Sequence, residues 1–181
     1  MSSKAINIID ILYTISRKYY QKNGYPLGKT KLIKLAYLAE IFHQRIANER
    51  LTDEKWIYWH YGPYIMNYNK ILDHGAFKIK VTEEEFSPVM PSEDYNPSKM
   101  SLTTNIAISR AMEFSELDLN DLLDFVYFDT EPMMKVKDRG EALDFKCVLP
   151  ESEYRIKPLE IPRKQKQEIL KKIEDWGKLH G

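Results

Sequence analysis

Trp56-Ile57-Tyr58-Trp59-His60-Tyr61-Gly62-Pro63-Tyr64 holds two of the three tryptophans and three of the twelve tyrosines of this 181-residue chain. Residues 56–61 are mostly β-formers, so we predict a strand whose successive side chains face opposite ways. Gly62 ends this strand, and Pro63 occupies the position that tolerates proline best, the start of a helix. The stretch therefore predicts a strand, a sharp corner and a helix over residues 63–72.

Two amphipathic helices precede this corner. The first spans residues 4–22, and Lys22-Asn23-Gly24 provides the lysine and glycine that are typical of a helix end. The second begins near Thr30, a candidate N-cap, and has an apolar stripe wide enough for a helix at the centre of the fold.

The residues after the corner indicate one more strand and four more helical segments. Alternation at 77–81 predicts a strand that pairs with 55–61, and the proline-rich segment 82–100 predicts a long loop. Two helical patterns lie at 101–115 and 118–129, and Asp118 begins the second. A short helix is expected to begin with Thr130 as cap and Pro132 in its first turn, and to end at Gly140. The last helical pattern lies at 162–176.

These patterns predict a mainly helical α+β fold with about six helices and a small antiparallel sheet containing 55–61 and 77–81. We expect the first two helices to pack around the helix that follows Gly62-Pro63.

Composition indicates an ordinary cytosolic protein. Hydrophobic residues make up 43% and charged residues 30% of the chain, as in typical globular domains. The single Cys147 excludes an internal disulfide and a cysteine zinc site. Neither a signal peptide nor an apolar run of membrane-spanning length is present, so we expect a cytoplasmic protein without membrane contact.

No motif predicts catalysis, a metal or a cofactor. The four histidines lack metal-binding spacing, and no nucleophile elbow, phosphate loop or dinucleotide fingerprint occurs. The sequence therefore predicts a protein that is not an enzyme, although an unrecognised enzyme with an enclosed polar pocket stays open.

Charge is unevenly distributed along the chain. Residues 1–80 carry 13 Lys and Arg against 6 Asp and Glu, whereas residues 81–153 carry 6 against 17. The two parts either neutralise each other in the fold or leave an acidic face for a basic partner. Asp118, Asp121 and Asp124 have helical spacing, which puts three acids near one face of a helix.

The order of three motifs resembles the SocA-like antitoxin family, also called the Panacea domain, which includes phage-associated proteins of the GepA type. The motifs are Lys31-Leu32-Ile33-Lys34-Leu35-Ala36-Tyr37-Leu38-Ala39, then Tyr61-Gly62-Pro63, then Thr130-Glu131-Pro132 with Asp138-Arg139-Gly140. Their signature residues are Lys31, Leu35, Tyr37, Gly62, Pro63, Glu131, Pro132 and Gly140. The resemblance covers a domain at 1–150 and leaves a C-terminal extension at 151–181 that ends in a helix.

The resemblance implies an antitoxin that neutralises a toxin, encoded nearby on a phage or prophage, by direct protein contact. It also implies a possible role as an adaptor that delivers the toxin to a bacterial protease, and it carries no catalytic residues. We expect the binding surface to combine Trp59, Tyr61 and Tyr64 with the acidic residues Asp118, Asp121 and Asp124, because aromatic anchors dominate interface energetics.

The alternative is a DNA-binding transcriptional regulator associated with a phage or mobile element. It would use the basic C-terminal tail together with Lys29, Lys31 and Lys34 in a helix-turn-helix. The second helix lacks a polar row suited to base edges, and no basic residue lies between Trp56 and Tyr64. Nucleic acid is therefore the less favoured partner.

Overall fold

The computed structural model describes residues 5–79 and 87–156, together with residues 171 and 175. These residues confirm the mainly helical α+β class. They form seven α-helices: α1 Ile8–Asn23, α2 Lys29–Ala47, α3 Tyr68–Leu72, α4 Leu102–Glu113, α5 Leu119–Phe128, α6 Glu131–Lys135 and α7 Glu151–Ile156. They also form five strands: β1 Leu27–Gly28, β2 Ile57–Trp59, β3 Gly62–Tyr64, β4 Phe77–Ile79 and β5 Pro88–Pro91. Most of the predicted helix at 162–176 and part of the predicted loop at 82–100 lie outside the described residues.

Helix α2 is the centre of the fold, as its wide apolar stripe predicts. Every residue from Leu32 to Arg45 is buried, including the charged side chains of Lys34 and Glu40. The helix packs against α1, α4 and α5, and its most extensive helix contact is with α4. Because it is covered on several sides, its few charged residues must find partners inside the protein.

The predicted cap of α2 is wrong. Gly28 is the N-cap, and Thr30 lies within the first turn. The reason is that Leu27-Gly28 is held as strand β1 by pairing with β5, which brings the chain into the helix before Thr30. By contrast, α1 ends at Gly24 in the left-handed conformation, with φ of 76°, as predicted.

The strand at 55–61 does not pair with the strand at 77–81, so this prediction is wrong. Strand β2 forms an antiparallel hairpin with β3, and β4 pairs with β5 in a separate sheet of order β1-β5-β4. Gly62, with φ of 94°, reverses the chain after only two loop residues. A short hairpin closes less chain than the predicted long-range pairing, so the entropic cost is smaller.

Pro63 is therefore in a strand and not at the start of a helix. It lies opposite Tyr58, whose N–H and carbonyl bond to the other side, with Glu141 and Gly140. Proline is tolerated here because this position needs no N–H toward β2. The following helix begins only at Tyr68, and it packs on β4. The expectation that α1 and α2 pack around it is thus also wrong.

Residues 140–143 run along the free side of β2. Gly140 N donates to Tyr58 O at 2.7 Å, and Leu143 N donates to Trp56 O at 2.9 Å. Helix α6 has already ended at Lys135, so the prediction that Gly140 ends that helix is wrong. With φ of 87°, Gly140 instead turns the chain back along the hairpin.

Candidate functional site

The hairpin β2–β3 presents aromatic side chains at the surface. Tyr61 lies in its two-residue loop and is 42% exposed. Trp59 is half-buried, and its ring lies 4.5 Å from that of His60. Tyr64 is also half-buried; its ring packs edge-on against Tyr68, and burial raises its pKa. Tyr61 is therefore the most accessible of the three predicted aromatic anchors.

The inner face of the hairpin is fixed by aromatic packing. Trp56 is 1% exposed and packs edge-on against Tyr37 of α2. Tyr58 packs edge-on against Tyr127 of α5. A Cβ at Gly62 would lie 3.3 Å from the same Tyr127 ring. Gly62 is thus required for both its positive φ and its close approach to α5.

Lys34 contacts the edge of β3 that faces away from β2. Its side chain is buried, and its Nζ donates a hydrogen bond to Pro63 O at 2.8 Å. Since proline has no N–H, this carbonyl is the hydrogen-bonding group that Pro63 presents at the edge of β3. Burial lowers the pKa of Lys34 to about 7. The interaction closes the strand edge with a group that is partly uncharged near neutral pH.

A pocket of about 380 Å³ opens on the outer face of the hairpin. Its lining residues are Glu54, Lys55, Ile57, Trp59, Ile65, Met66, Asn67 and Gly140. Ile57 and Trp59 lie on the same face of β2, two residues apart, as strand alternation requires. Met66 is 63% exposed at the rim, so the pocket adjoins an accessible apolar surface.

One carboxylate of the pocket is partly withdrawn from water. The pKa of Glu54 is raised by burial and then by the nearby carboxylates of Glu40 and Asp53, while Arg50 lowers it. Glu40 is itself fully engaged by donors of the loop after α2. It accepts from Arg50 Nε at 2.6 Å, Leu51 N at 2.8 Å, Thr52 N at 3.3 Å and Thr52 Oγ1 at 2.7 Å.

The signature residues around Glu131 are part of the protein core. Arg45 and Glu131 form a two-pronged ion pair, with N–O distances of 2.6 and 2.9 Å, and both side chains are at most 3% exposed. Leu149 closes the cluster, because its O accepts from Arg45 and its N donates to Glu131. The Arg45 guanidinium also lies 3.7 Å from the Tyr154 ring centroid. This cluster binds α2, α6 and α7 together.

The predicted acidic residues are distributed along α5. Asp118 caps the helix by accepting from Asp121 N at 2.9 Å, and both residues are exposed. Asp124 is half-buried. Tyr127, which contacts the hairpin, follows Asp118 by nine residues, or about 14 Å along the helix axis. Asp124 precedes Tyr127 by only three residues, or about 4.5 Å, so the acids extend along α5 toward its contact with the hairpin. The combined aromatic and acidic binding surface stays a prediction.

The structure removes a central part of the helix-turn-helix hypothesis. Lys34 is 2% exposed, so it cannot reach a phosphate group on DNA. Lys31 is half-buried, and its Nζ donates to Leu117 O at 2.5 Å. Most of the basic tail lies outside the described residues.

Sequence reasoning missed two features of the site. It did not predict that the Lys34 side chain is buried, although both of its sequence neighbours are apolar, which was the available signal. It also missed Glu54, Ile65 and Met66, because only the hairpin turn brings residues before β2 next to residues after β3.

Among residues 5–79 and 87–156, no group of three or more His, Cys, Asp or Glu side chains could hold a metal ion. Within the same part of the chain, no helix is long and apolar enough to cross a membrane. No curated protein and no solved structure matches the chain significantly.

The fold and site define a mainly helical α+β protein in which an aromatic hairpin packs on Tyr127 and Lys34 and lies beside an open pocket. The family described as antitoxin SocA-like, Panacea domain, matches residues 32–173. Since this range covers more than three quarters of the sequence, the chain belongs to the SocA-like antitoxin family. The matched range crosses residue 150, and the division into 1–150 and 151–181 stays a prediction.

Proposed function

We propose that this protein is an antitoxin that neutralises a cognate toxin by direct binding, and that the outer face of the hairpin is the binding surface. Family membership supports the class of function. The observation that carries the choice of surface is the exposure of Tyr61 and Met66, 42% and 63%, beside a mostly apolar pocket. Accessible aromatic and apolar side chains on a rigid support are typical of binding hot spots.

Rigidity of the hairpin supports this choice. Tyr58, Gly62 and Pro63 are held from behind by Tyr127 and Lys34. A surface that is ordered before binding loses less conformational entropy when the partner docks. We therefore expect the tip of the hairpin to keep its conformation when the toxin binds.

The proposal places the protein in the cytoplasm, without catalytic activity and without a cofactor. The toxin is expected to be the product of the adjacent gene. Delivery of the bound toxin to a bacterial protease is a further part of the proposal, and it would require a surface that stays accessible in the complex. The exposed acids Asp118 and Asp121 lie away from the hairpin tip and are candidates for that second surface.

Co-expression tests the proposal directly. The adjacent gene product should arrest growth when expressed alone, and the chain should restore growth. Tyr61→Ala should abolish this protection, whereas Tyr20→Ala, which removes an exposed tyrosine from α1, should not. If the neighbouring product is harmless alone, or stays lethal beside the wild-type chain, the proposed function is wrong.

A further inference from the structure

The pocket beside Trp59 combines an apolar wall with one acidic group. Ile57, Trp59 and Ile65 supply the wall, and Glu54 supplies the acid. A volume of about 380 Å³ is at the small end of ligand pockets and suits one long side chain. Nothing lies within 4 Å of the position that a Cβ would take at Gly140, so this wall also offers open space.

Glu54 lacks a hydrogen-bond donor for its carboxylate within the described part of the chain. Its backbone N–H and carbonyl are used by Thr52 and Arg50, but its side-chain oxygens accept no hydrogen bond there. Burial and the carboxylates of Glu40 and Asp53 disfavour its negative charge. A cation placed in the pocket would relieve this unfavourable state, because a partly desolvated carboxylate gains more from pairing than an exposed one.

Resting on the proposed function, we propose that this pocket receives an arginine side chain of the toxin, whose guanidinium pairs with Glu54 and stacks on Trp59. The aliphatic part of arginine can cover Ile57 and Met66 while the planar head reaches a carboxylate and an aromatic face. Both contacts are favourable for arginine, which is also enriched in binding hot spots. Lys55 is exposed at the rim and opposes the incoming charge, so its removal should strengthen binding.

A fragment titration tests the pocket without the toxin. The full chain, labelled at tryptophan indole nitrogens and methionine methyls, is titrated with N-acetyl-arginine-N-methylamide and, separately, with N-acetyl-leucine-N-methylamide. The arginine compound should shift the Trp59 and Met66 signals saturably and bind at least fivefold more tightly than the leucine compound. Glu54→Gln should weaken its binding at least fivefold, and Lys55→Gln should strengthen it. The matched control Glu93→Gln, at an exposed glutamate outside the pocket, should change it less than twofold.

Several results would overturn the assignment. These are equal or tighter binding of the leucine compound, unchanged binding to Glu54→Gln, or no saturable shift at Trp59 with the arginine compound. Such a failure leaves the proposed function intact if Tyr61→Ala still abolishes protection in cells. Conversely, the arginine compound could bind saturably to a chain that does not protect cells from the adjacent gene product. That result would support the arginine pocket but show that the arginine does not come from this toxin.

Discussion

Replacing Lys34 with methionine removes one hydrogen bond and one buried titratable group while keeping an unbranched side chain. In the wild-type protein, Lys34 Nζ donates to the buried Pro63 O at 2.8 Å. Methionine cannot donate, so the carbonyl loses its partner. An unsatisfied buried polar group costs about 1–3 kcal/mol. At pH 9 the amine is neutral in the folded protein but still protonated in the unfolded chain, so its deprotonation on folding offsets about 2 kcal/mol of the gain from the hydrogen bond. We therefore expect the free energies of unfolding of the wild type and Lys34→Met to differ by no more than about 1 kcal/mol at pH 9.

The pH dependence separates the titratable group from the hydrogen bond. The pKa of Lys34 falls from 10.5 to about 7 on folding. Between these values the unfolded chain binds more protons than the folded protein, so the free energy of unfolding rises with pH. For one group with these two pKa values, the rise from pH 7 to pH 9 is about 2 kcal/mol. From pH 9 to pH 7 the wild type should therefore lose about 2 kcal/mol of stability relative to Lys34→Met, so the variant should be the more stable protein at pH 7.

Urea unfolding followed by tryptophan fluorescence at pH 7, 8 and 9 measures this difference. The measurements stop at pH 9 because burial raises the pKa of Tyr37 and Tyr127 in the folded protein. Above about pH 10 these tyrosines ionise in the unfolded chain but not in the folded protein, so the free energy of unfolding falls. Lys18→Met, at an exposed lysine of α1, is the control and should follow the wild-type curve. The reasoning is refuted if the free energy of unfolding of the wild type minus that of Lys34→Met stays constant with pH or increases toward pH 7.

Three further predictions concern the core and the hairpin. Arg45→Met or Glu131→Leu alone should lower the free energy of unfolding by about 3–5 kcal/mol, because each leaves a buried charge unpaired. The double variant should recover part of this loss. If urea unfolding shows that the two losses simply add, this prediction is wrong. Gly62→Ala should destabilise by more than Gly140→Ala, since both have positive φ but only Gly62 approaches an aromatic ring at 3.3 Å; equal melting curves would argue against that contact. Tyr61→Ala should change the free energy of unfolding by less than about 0.5 kcal/mol. Under the proposed function, it should weaken toxin binding at least tenfold in calorimetry. A large loss of stability would instead show that Tyr61 belongs to the core.

Local patterns predicted most helices but not the strand pairing. Asp118 and Gly24 act at helix ends as their residue types indicate, because capping depends on a few neighbouring residues. The partner of β2 depended on the backbone conformation of Gly62, and the sequence allowed either a turn or a helix start there. A Gly-Pro pair is compatible with both, so the competition was decided by tertiary packing on Tyr127.

The candidate site was predicted in part. Strand alternation correctly put Ile57 and Trp59 on one face, away from Trp56 and Tyr58. It could not show how far each acid of α5 lies from the hairpin. The role of Lys34 was also hidden, since a lysine usually reaches water and is rarely fully buried.

The charged residues buried in α2 explain how a helix can position segments that have little apolar surface of their own. Lys34 binds the strand edge at Pro63, Glu40 binds the backbone of the loop after α2, and Arg45 binds α6 and the segment before α7. Each contact satisfies a buried polar group that an apolar side chain would leave unpaired.

The same arrangement separates most of the signature residues suggested by the resemblance from those proposed to bind the toxin, and Gly140, which lines the pocket, is the exception. Signature residues such as Tyr37, Pro63 and Glu131 are buried, and a change at any of them would disturb the core. Tyr61 and Met66 are exposed, so they can change with little effect on stability. Membership of the antitoxin family therefore identifies the scaffold, whereas under the proposed function the chemistry of the hairpin face and its pocket would determine which toxin is bound.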